Sequence, residues 1–251
     1  MNFNELKKQW KNEENYLFEG WDFSHLNGRW TNEALTWDYR EILLSYIKDS
    51  DKLLDMGTGD GEFLLTLKHP NYLLSVTEAY PPNVDLCRKE LEPLGITVAQ
   101  VYDDDKLPFE NESFDVVINR HESIDVFEVH RVLKSGGYFI TQQVGGKNDN
   151  DLSYRLIENY VPQFPEHTLG NSIAKLKNTG FEIIESDEAF PAIRFYDVGA
   201  LVYFAKIIEW EFPEFSVETC FESLCECQKE LEKKGHIEGT EHRFIIVARK
   251  K

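Results

Sequence analysis

Residues 52–68, KLLDMGTGDGEFLLTLK, restrict what this chain can fold into more than any other stretch. Leu53, Leu54 and Met56 form a short apolar run, the pattern of a strand buried in a parallel sheet. Gly57, Gly59 and Gly61 alternate with Thr58 and Asp60. Phe63, Leu64, Leu65 and Leu67 then follow at helical spacing until His69-Pro70 stops the helix. The stretch therefore predicts a strand, a tight glycine turn and a helix. Glycine accepts positive φ and lets a ligand approach the main chain closely. The helix start behind the turn leaves backbone N–H groups without intrahelical partners.

The spacing sorts the ligands such a turn can hold. A dinucleotide site uses G-x-G-x-x-G, with the third glycine inside the helix. Here the spacing is G-x-G-x-G, and an acid, Asp55, closes the strand. A carboxylate beside the turn repels a pyrophosphate and suits a cationic group. Glu78 lies 21 residues beyond Gly57, after a second apolar run from Tyr72 to Val76. An acid at the end of a second strand commonly accepts ribose hydroxyls. Together the two acids favour a nucleoside with a positive group over a diphosphate, and they disfavour an NAD-dependent oxidoreductase. The alternative is a glycine-rich turn that binds nothing.

LLDMGTGDGEF resembles motif I of the class I S-adenosylmethionine (SAM)-dependent methyltransferases. DDDKLPFENESFDVVINRHE is similar to the D-x-x-x-L-P-F…S-F-D-x-V signature of their common small-molecule branch, the methyltransferase domain 11-like group. EVHRVLKSGGYFI is similar to its E-x-x-R-V-L-K-P-G-G helix–turn–strand, with Ser135 in the usual proline place, a change of turn rigidity more than of chemistry. The block from Tyr196 to Tyr203 and the stretch HRFIIVARK resemble a bacterial subgroup of the same enzymes. Each motif is weak alone; their order and spacing carry the resemblance, which covers most of the chain.

The resemblance implies an α/β, Rossmann-like class I methyltransferase fold: a seven-stranded, mostly parallel sheet in the order 3-2-1-4-5-7-6, strand 7 antiparallel, with helices on both faces. SAM would lie across the C-terminal ends of strands 1 to 4, consistent with the switch-point rule for open α/β sheets. Gly57, Thr58, Gly59 and Gly61 would line its methionine portion, Asp55 would face its ammonium directly or through water, and Glu78 would accept both ribose hydroxyls. Asp103 or Asp104 would meet the adenine amino group; Asp103, Asp104 and Asp105 are contiguous, and the sequence does not say which points inward. Asn119 is a further cofactor-binding position. With Arg120, His121 and Glu122 it lies where strand 4 ends, toward the transferring methyl. Methyl transfer is an SN2 displacement, in which in-line positioning and desolvation supply much of the rate. A hydroxyl or ammonium acceptor also needs a base. His121 is the catalytic candidate because imidazole titrates in the right range; cofactor packing or a structural hydrogen bond is the alternative. The acceptor atom and the oligomeric state are not given by the sequence. A non-catalytic SAM- or S-adenosylhomocysteine-binding partner protein and an RNA methyltransferase are the competing functions.

Composition narrows the partners. With 27 Lys+Arg against 45 Asp+Glu, the formal net charge is -18. Such a field repels a phosphate backbone and argues against a nucleic-acid substrate, leaving a small-molecule acceptor as the expectation. No apolar run approaches the roughly 20 residues that cross a bilayer, and the polar start MNFNELKKQWKNEEN has no signal-peptide core, so no membrane association and a cytoplasmic location are expected. Cys87, Cys220, Cys225 and Cys227 lack the spacing of a zinc knuckle and read as reduced thiols, with no metal site.

Residues 1–50 are expected to form an aromatic-rich helical cap, with helices near Asn4–Lys11 and Tyr39–Ile47 and no strand; Trp10, Trp21, Trp30 and Trp37 all lie in it. These aromatics either pack the leader onto the domain or wall the site, where rings would suit a sulfonium. Residues 51–251 are expected to be the SAM-binding domain, with insertions near 145–170, either a lid or a plain insertion, and near 187–235. After Pro81-Pro82, Asn83 is expected to cap a helix over Val84–Leu94 that Gly95 ends. Further strands are expected at Ile96–Val101, Phe114–Ile118, Tyr138–Val144, Phe181–Ser186 and Arg243–Ala248.

Overall fold

The computed structural model describes residues 3–18, 23–103 and 105–251. They form two compact units. The first comprises Thr36–Gly145, His167–Glu188 and Arg243–Lys251, and the second Met1–Leu35, Gly146–Glu166 and Ala189–His242. This division departs from the expected boundaries at residue 50. The leader from Thr36 onward joins the first unit, and the first 35 residues group with the two segments expected as insertions.

The first unit is built on one sheet. Its strands are β1 (Leu53–Met56), β2 (Leu74–Glu78), β3 (Thr97–Gln100), β4 (Phe114–Arg120), β5 (Leu133–Val144), β6 (Phe181–Ala189) and β7 (Arg243–Lys250). Their order is β3-β2-β1-β4-β5-β7-β6. β1 to β5 pair in parallel and β7 runs antiparallel to β5. This is the arrangement that the motif resemblance implies. Successive residues of a strand face opposite sides, and the core divides accordingly. Leu53, Val76, Val116, Ile118 and Ile140 belong to one buried cluster; Leu54, Met56, Val117 and Phe139 belong to another. A sheet covered on both faces explains why β1 is apolar without alternation.

Local rules set most boundaries. The helix after β2 spans Pro81–Glu90 and starts on its two prolines, with Tyr80 at the N-cap. Asn83 lies inside it and is not the cap. Proline suits the first helical turn because its missing N–H would have no partner there. Gly95, at φ 89°, ends the short 3-10 turn that follows. Thr168 caps the Leu169–Asn178 helix by accepting from Asn171 N, and Asp125 caps Val126–Val132 by accepting from Phe127 N and Glu128 N.

The second unit has a three-stranded antiparallel sheet, Trp30–Asn32, Ala192–Phe195 and Ile237–Thr240, with Ala192–Phe195 in the middle. The leader therefore does hold a strand, too short to show alternation in the sequence. The helix Val198–Ile207 is buried from Val198 through Ala205, as a helix apolar on all sides must be. Helices Phe3–Glu14, Asn150–Leu156 and Phe221–Lys234 complete this unit, so the segment near 145–170, expected as an insertion, is partly helical. The four cysteines are buried free thiols. Trp21 and Asp104 lie outside the described residues. No helix among the described residues is long and apolar enough to cross a membrane.

Candidate functional site

The site is built at the C-terminal ends of β1, β2 and β4, within the sheet unit. Gly57, Gly59 and Gly61 take φ 68°, 66° and 78°, so the turn after β1 is left-handed at every second residue, a backbone that alternating glycines permit. Gly57 N and Thr58 N both donate to Thr77 O, at 3.1 and 3.0 Å, which pins the turn to the end of β2. Gly59 N donates to Glu78 Oε2 at 2.8 Å. Cys87 Sγ donates to Gly59 O at 3.2 Å, and burial pushes this thiol up to about 11, so it stays protonated as a donor.

Space around the turn is uneven. A Cβ on Gly57 would stand 2.4 Å from Glu122 Cγ, and one on Gly61 2.6 Å from Leu91 Cδ1. A Cβ on Gly59 would meet nothing within 4 Å. Gly57 and Gly61 are thus fixed by protein packing, whereas Gly59 borders open space that a ligand can enter.

Two acids flank this space. Glu78 is 7 % exposed. Its Oε1 accepts from Ala79 N and Tyr80 N at 2.9 and 3.0 Å, besides the bond from Gly59 N to Oε2. A carboxylate has about four lone-pair sites, so these three donors leave acceptor capacity for a hydroxyl. Asp55 is 5 % exposed, and its Oδ2 accepts from Thr58 Oγ1 at 2.7 Å. Burial pushes its carboxyl up to about 7; the Thr58 hydroxyl and the Arg120 charge pull it down, and the Glu78 charge adds to the rise. A desolvated carboxyl in this state gains most from a cation brought beside it.

The other expected residues divide. Thr58 serves the turn by turning its hydroxyl to Asp55. Asn119 is fully buried. It donates to Met56 O at 3.3 Å and accepts from Thr141 Oγ1 and Gln143 Nε2 at 2.9 and 2.5 Å. It therefore ties β1, β4 and β5 together through its side-chain amide. Asp103 is exposed, with its carbonyl accepting from Lys106 N at 3.2 Å. Among the described residues no hydrogen bond ties its carboxyl to the turn, and Asp104 is not described.

His121 does not fit the expected base. Trp37 Nε1 donates to Gln142 Oε1 at 2.8 Å, and an indole N–H only donates. The amide's other end, Nε2, therefore faces His121 Nε2 at 3.0 Å. An amide NH2 also only donates, so His121 Nε2 accepts and the ring proton sits on Nδ1. Crowding by surrounding protein, with Arg243 and Arg120 adding positive charge, depresses the imidazole to about 3, although the residue keeps an open face to solvent. Both results give a neutral ring whose one lone pair is engaged, a poor proton acceptor near neutral pH.

Four residues near these strand ends have no role assigned from the sequence. Arg120 lies over the Phe63 ring, 4.3 Å from its centroid, and Tyr39 stacks on that ring at 5.5 Å while donating to Asn119 O at 3.1 Å. Tyr80 and Tyr102, 53 % and 73 % exposed, follow the ends of β2 and β3. For these two tyrosines the signal available in the sequence was an aromatic placed just past a strand end.

Residues 54–141 match the model of a family described as a methyltransferase domain. They run from β1 through the paired region of β5, which contains the turn, Glu78 and His121. Over those residues the chain is similar to the methyltransferase-domain family. An uncharacterised protein of Methanocaldococcus jannaschii is 31% identical over 167 residues, 63% of this chain and 61% of that protein. The demethylmenaquinone methyltransferase of Thermus thermophilus is 29% identical over 171 residues, 63% of this chain and 76% of that enzyme. The chain thus spans less than two thirds of the archaeal relative. Among solved structures, a candidate methyltransferase of Bacillus halodurans C-125 superposes with a TM-score of 0.57 at 17% identity, covering 85% of this chain and 98% of that one. That last likeness is one of fold.

Proposed function

We propose that this methyltransferase domain uses SAM to methylate a small-molecule acceptor. The observation that carries the reading is the open space over Gly59, flanked by the carboxylates of Asp55 and Glu78. SAM carries a ribose diol, an ammonium and a sulfonium, and these groups fit that donor set. Glu78 would hold the ribose hydroxyls with its remaining acceptor sites. Asp55, desolvated at the end of β1, would hold the ammonium. The Gly59 backbone would lie against the methionine portion, and the exposed rings of Tyr80 and Tyr102 would flank the base. SAM supplies a methyl group on a good leaving group. The chain's own task is to bind, orient and desolvate the reacting pair. The formal charge of -18 supports a small acceptor over RNA. The acceptor named for the Thermus relative is not carried over to this chain.

The test is calorimetric titration of the purified chain with SAM, with S-adenosylhomocysteine and with NAD. Binding of the first two, no binding of NAD, and a loss of at least about tenfold in affinity on Glu78→Ala (about 1.4 kcal/mol) are expected. Unchanged affinity in Glu78→Ala removes Glu78 from the site, and no SAM binding by the wild type removes the reading altogether. Release of S-adenosylhomocysteine over an acceptor panel separates an enzyme from a binding module.

A further inference from the structure

Arg120 ends β4 beside the glycine turn. We propose that its guanidinium binds the carboxylate at the amino-acid end of the cofactor, so that Arg120 and Asp55 together select a ligand carrying an intact α-amino acid. This rests on the SAM reading and assigns a specificity-determining residue to that same site.

The two residues share one face of the sheet. Met56 pairs with Asn119, so Arg120 comes next, level with the start of the glycine turn. Side chains alternate between faces along a strand. Leu53 and Ile118 belong to one buried cluster, and Phe63 packs against it. Asp55, two residues after Leu53, and Arg120, two residues after Ile118, therefore lie on that face. Asp55 itself pairs with Ile118. One strand spacing and two residues then separate the Asp55 and Arg120 Cα atoms, about 8 Å. No ion pair among the described residues joins the two side chains.

Each side chain has unused capacity. Asp55 spends Oδ2 on the Thr58 hydroxyl, while Oδ1 accepts from no donor among the described residues. Arg29, Arg131, Arg155 and Arg194 each bind a carboxylate. Arg120 is exposed, and its N–H groups meet no acceptor among the described residues. Its guanidinium is held nonetheless, over the Phe63 ring at 4.3 Å. Phe63 belongs to the helix Glu62–Thr66 that the glycine turn opens. Tyr39 stacks on the same ring and donates to Asn119 O, the carbonyl just before Arg120. An arginine positioned in this way loses little further freedom when it binds a carboxylate. Glu122, the other acid at this strand end, accepts from Ser123 N through Oε1 at 3.0 Å and is not paired with Arg120.

An α-amino acid is complementary to this pair. Its nitrogen and carboxylate carbon are about 2.5 Å apart, so the ammonium can meet Asp55 Oδ1 while the carboxylate turns to the guanidinium on the same face. A carboxylate accepts two parallel N–H bonds from a guanidinium. A ligand with the amine alone would satisfy Asp55 and leave Arg120 beside an uncompensated ammonium. The chain's net charge of -18 by itself favours that more cationic ligand. A preference for the zwitterion must therefore come from the site.

The test is calorimetry of the full chain with S-adenosylhomocysteine and with its decarboxylated analogue, which keeps the nucleoside, the thioether and the amine. The wild type should bind S-adenosylhomocysteine at least about tenfold more tightly, the lower value for a hydrogen bond to a charged group. Arg120→Gln should lose this preference by weakening S-adenosylhomocysteine while the analogue binds as before. Retained binding of the analogue also shows that the variant is folded. Arg120→Lys, which keeps the charge without the planar fork, should retain part of the preference. Equal affinity of the wild type for the two ligands overturns the proposal. So does an unchanged preference in Arg120→Gln, or an equal loss of both ligands in both variants. If neither ligand binds the wild type, the cofactor reading has failed and this proposal falls with it. If the wild type binds both equally, the cofactor reading stands and only the role of Arg120 is lost.

Discussion

The sheet unit and the second unit differ in how far apart in sequence their partners lie. In the sheet unit the site is compact in the chain. Asp55 meets Thr58 three residues on, and Gly59 meets Glu78 nineteen residues on. In the second unit, Arg29 donates to Glu13 at 2.9 Å and to Asp197, 168 residues away, at 2.6 Å. Trp30 pairs with Phe195 across a similar gap. A short motif can fix the first arrangement by itself. The second exists only once three separated segments have come together, and its stability rests on the burial that this achieves. The turn and its two acids are thus carried by local structure, and the second unit is held by distant contacts.

The largest effect should come from the distant contacts. Phe195 is fully buried, with its ring 5.2 Å from Phe204 and 6.2 Å from Trp30. Phe195→Ala should cost about 3–5 kcal/mol of stability by denaturant titration, from lost transfer energy and the cavity left behind. SAM affinity, measured where the variant is still folded, should change little. A large parallel loss of affinity would show that the two regions are not separable in this way. Next comes Asp55. Its folded pKa is raised to about 7 from 3.8, so the folded chain keeps a proton between those values that the unfolded chain has released. The stability from this group is whole below the lower value and is lost as pH rises through the higher, a change of about 4 kcal/mol. Asp55→Asn should remove that component from the pH dependence of stability. It should also abolish a rise in SAM affinity, up to about tenfold per pH unit, as pH approaches 7 from below. Equal pH slopes in the two proteins would take Asp55 out of the account.

The same contrast explains what the sequence could tell. The glycine turn, Asp55 and Glu78 were legible because backbone conformation and strand-end position follow from neighbouring residues. The strand order was legible only through the motif resemblance. The strand at Trp30–Asn32 was not, because three residues carry no period and its partner lies near residue 193. The partners of Asn119 were not legible for a related reason: it lies at the end of β4, but Thr141 and Gln143 come from β5. The role of His121 hangs on Trp37 and Gln142, which no spacing rule links to it.

The smallest effect on folding should also be the sharpest test of the site. Gly59→Ala places a Cβ where nothing lies within 4 Å, at φ 66°. Its stability loss should be only the left-handed backbone term, about 1–2 kcal/mol. Gly61→Ala meets Leu91 Cδ1 at 2.6 Å as well and should lose more. The two variants should rank the other way in binding. The Gly59 methyl enters the space proposed for the cofactor, so SAM affinity should fall by more than about tenfold, a loss at least as large as the folding loss. The Gly61 methyl enters space the protein already fills, so its effect on affinity should follow only from how far it disturbs the turn. If Gly59→Ala binds SAM as tightly as the wild type, the open space beside the turn is not where the cofactor lies, whatever the fold.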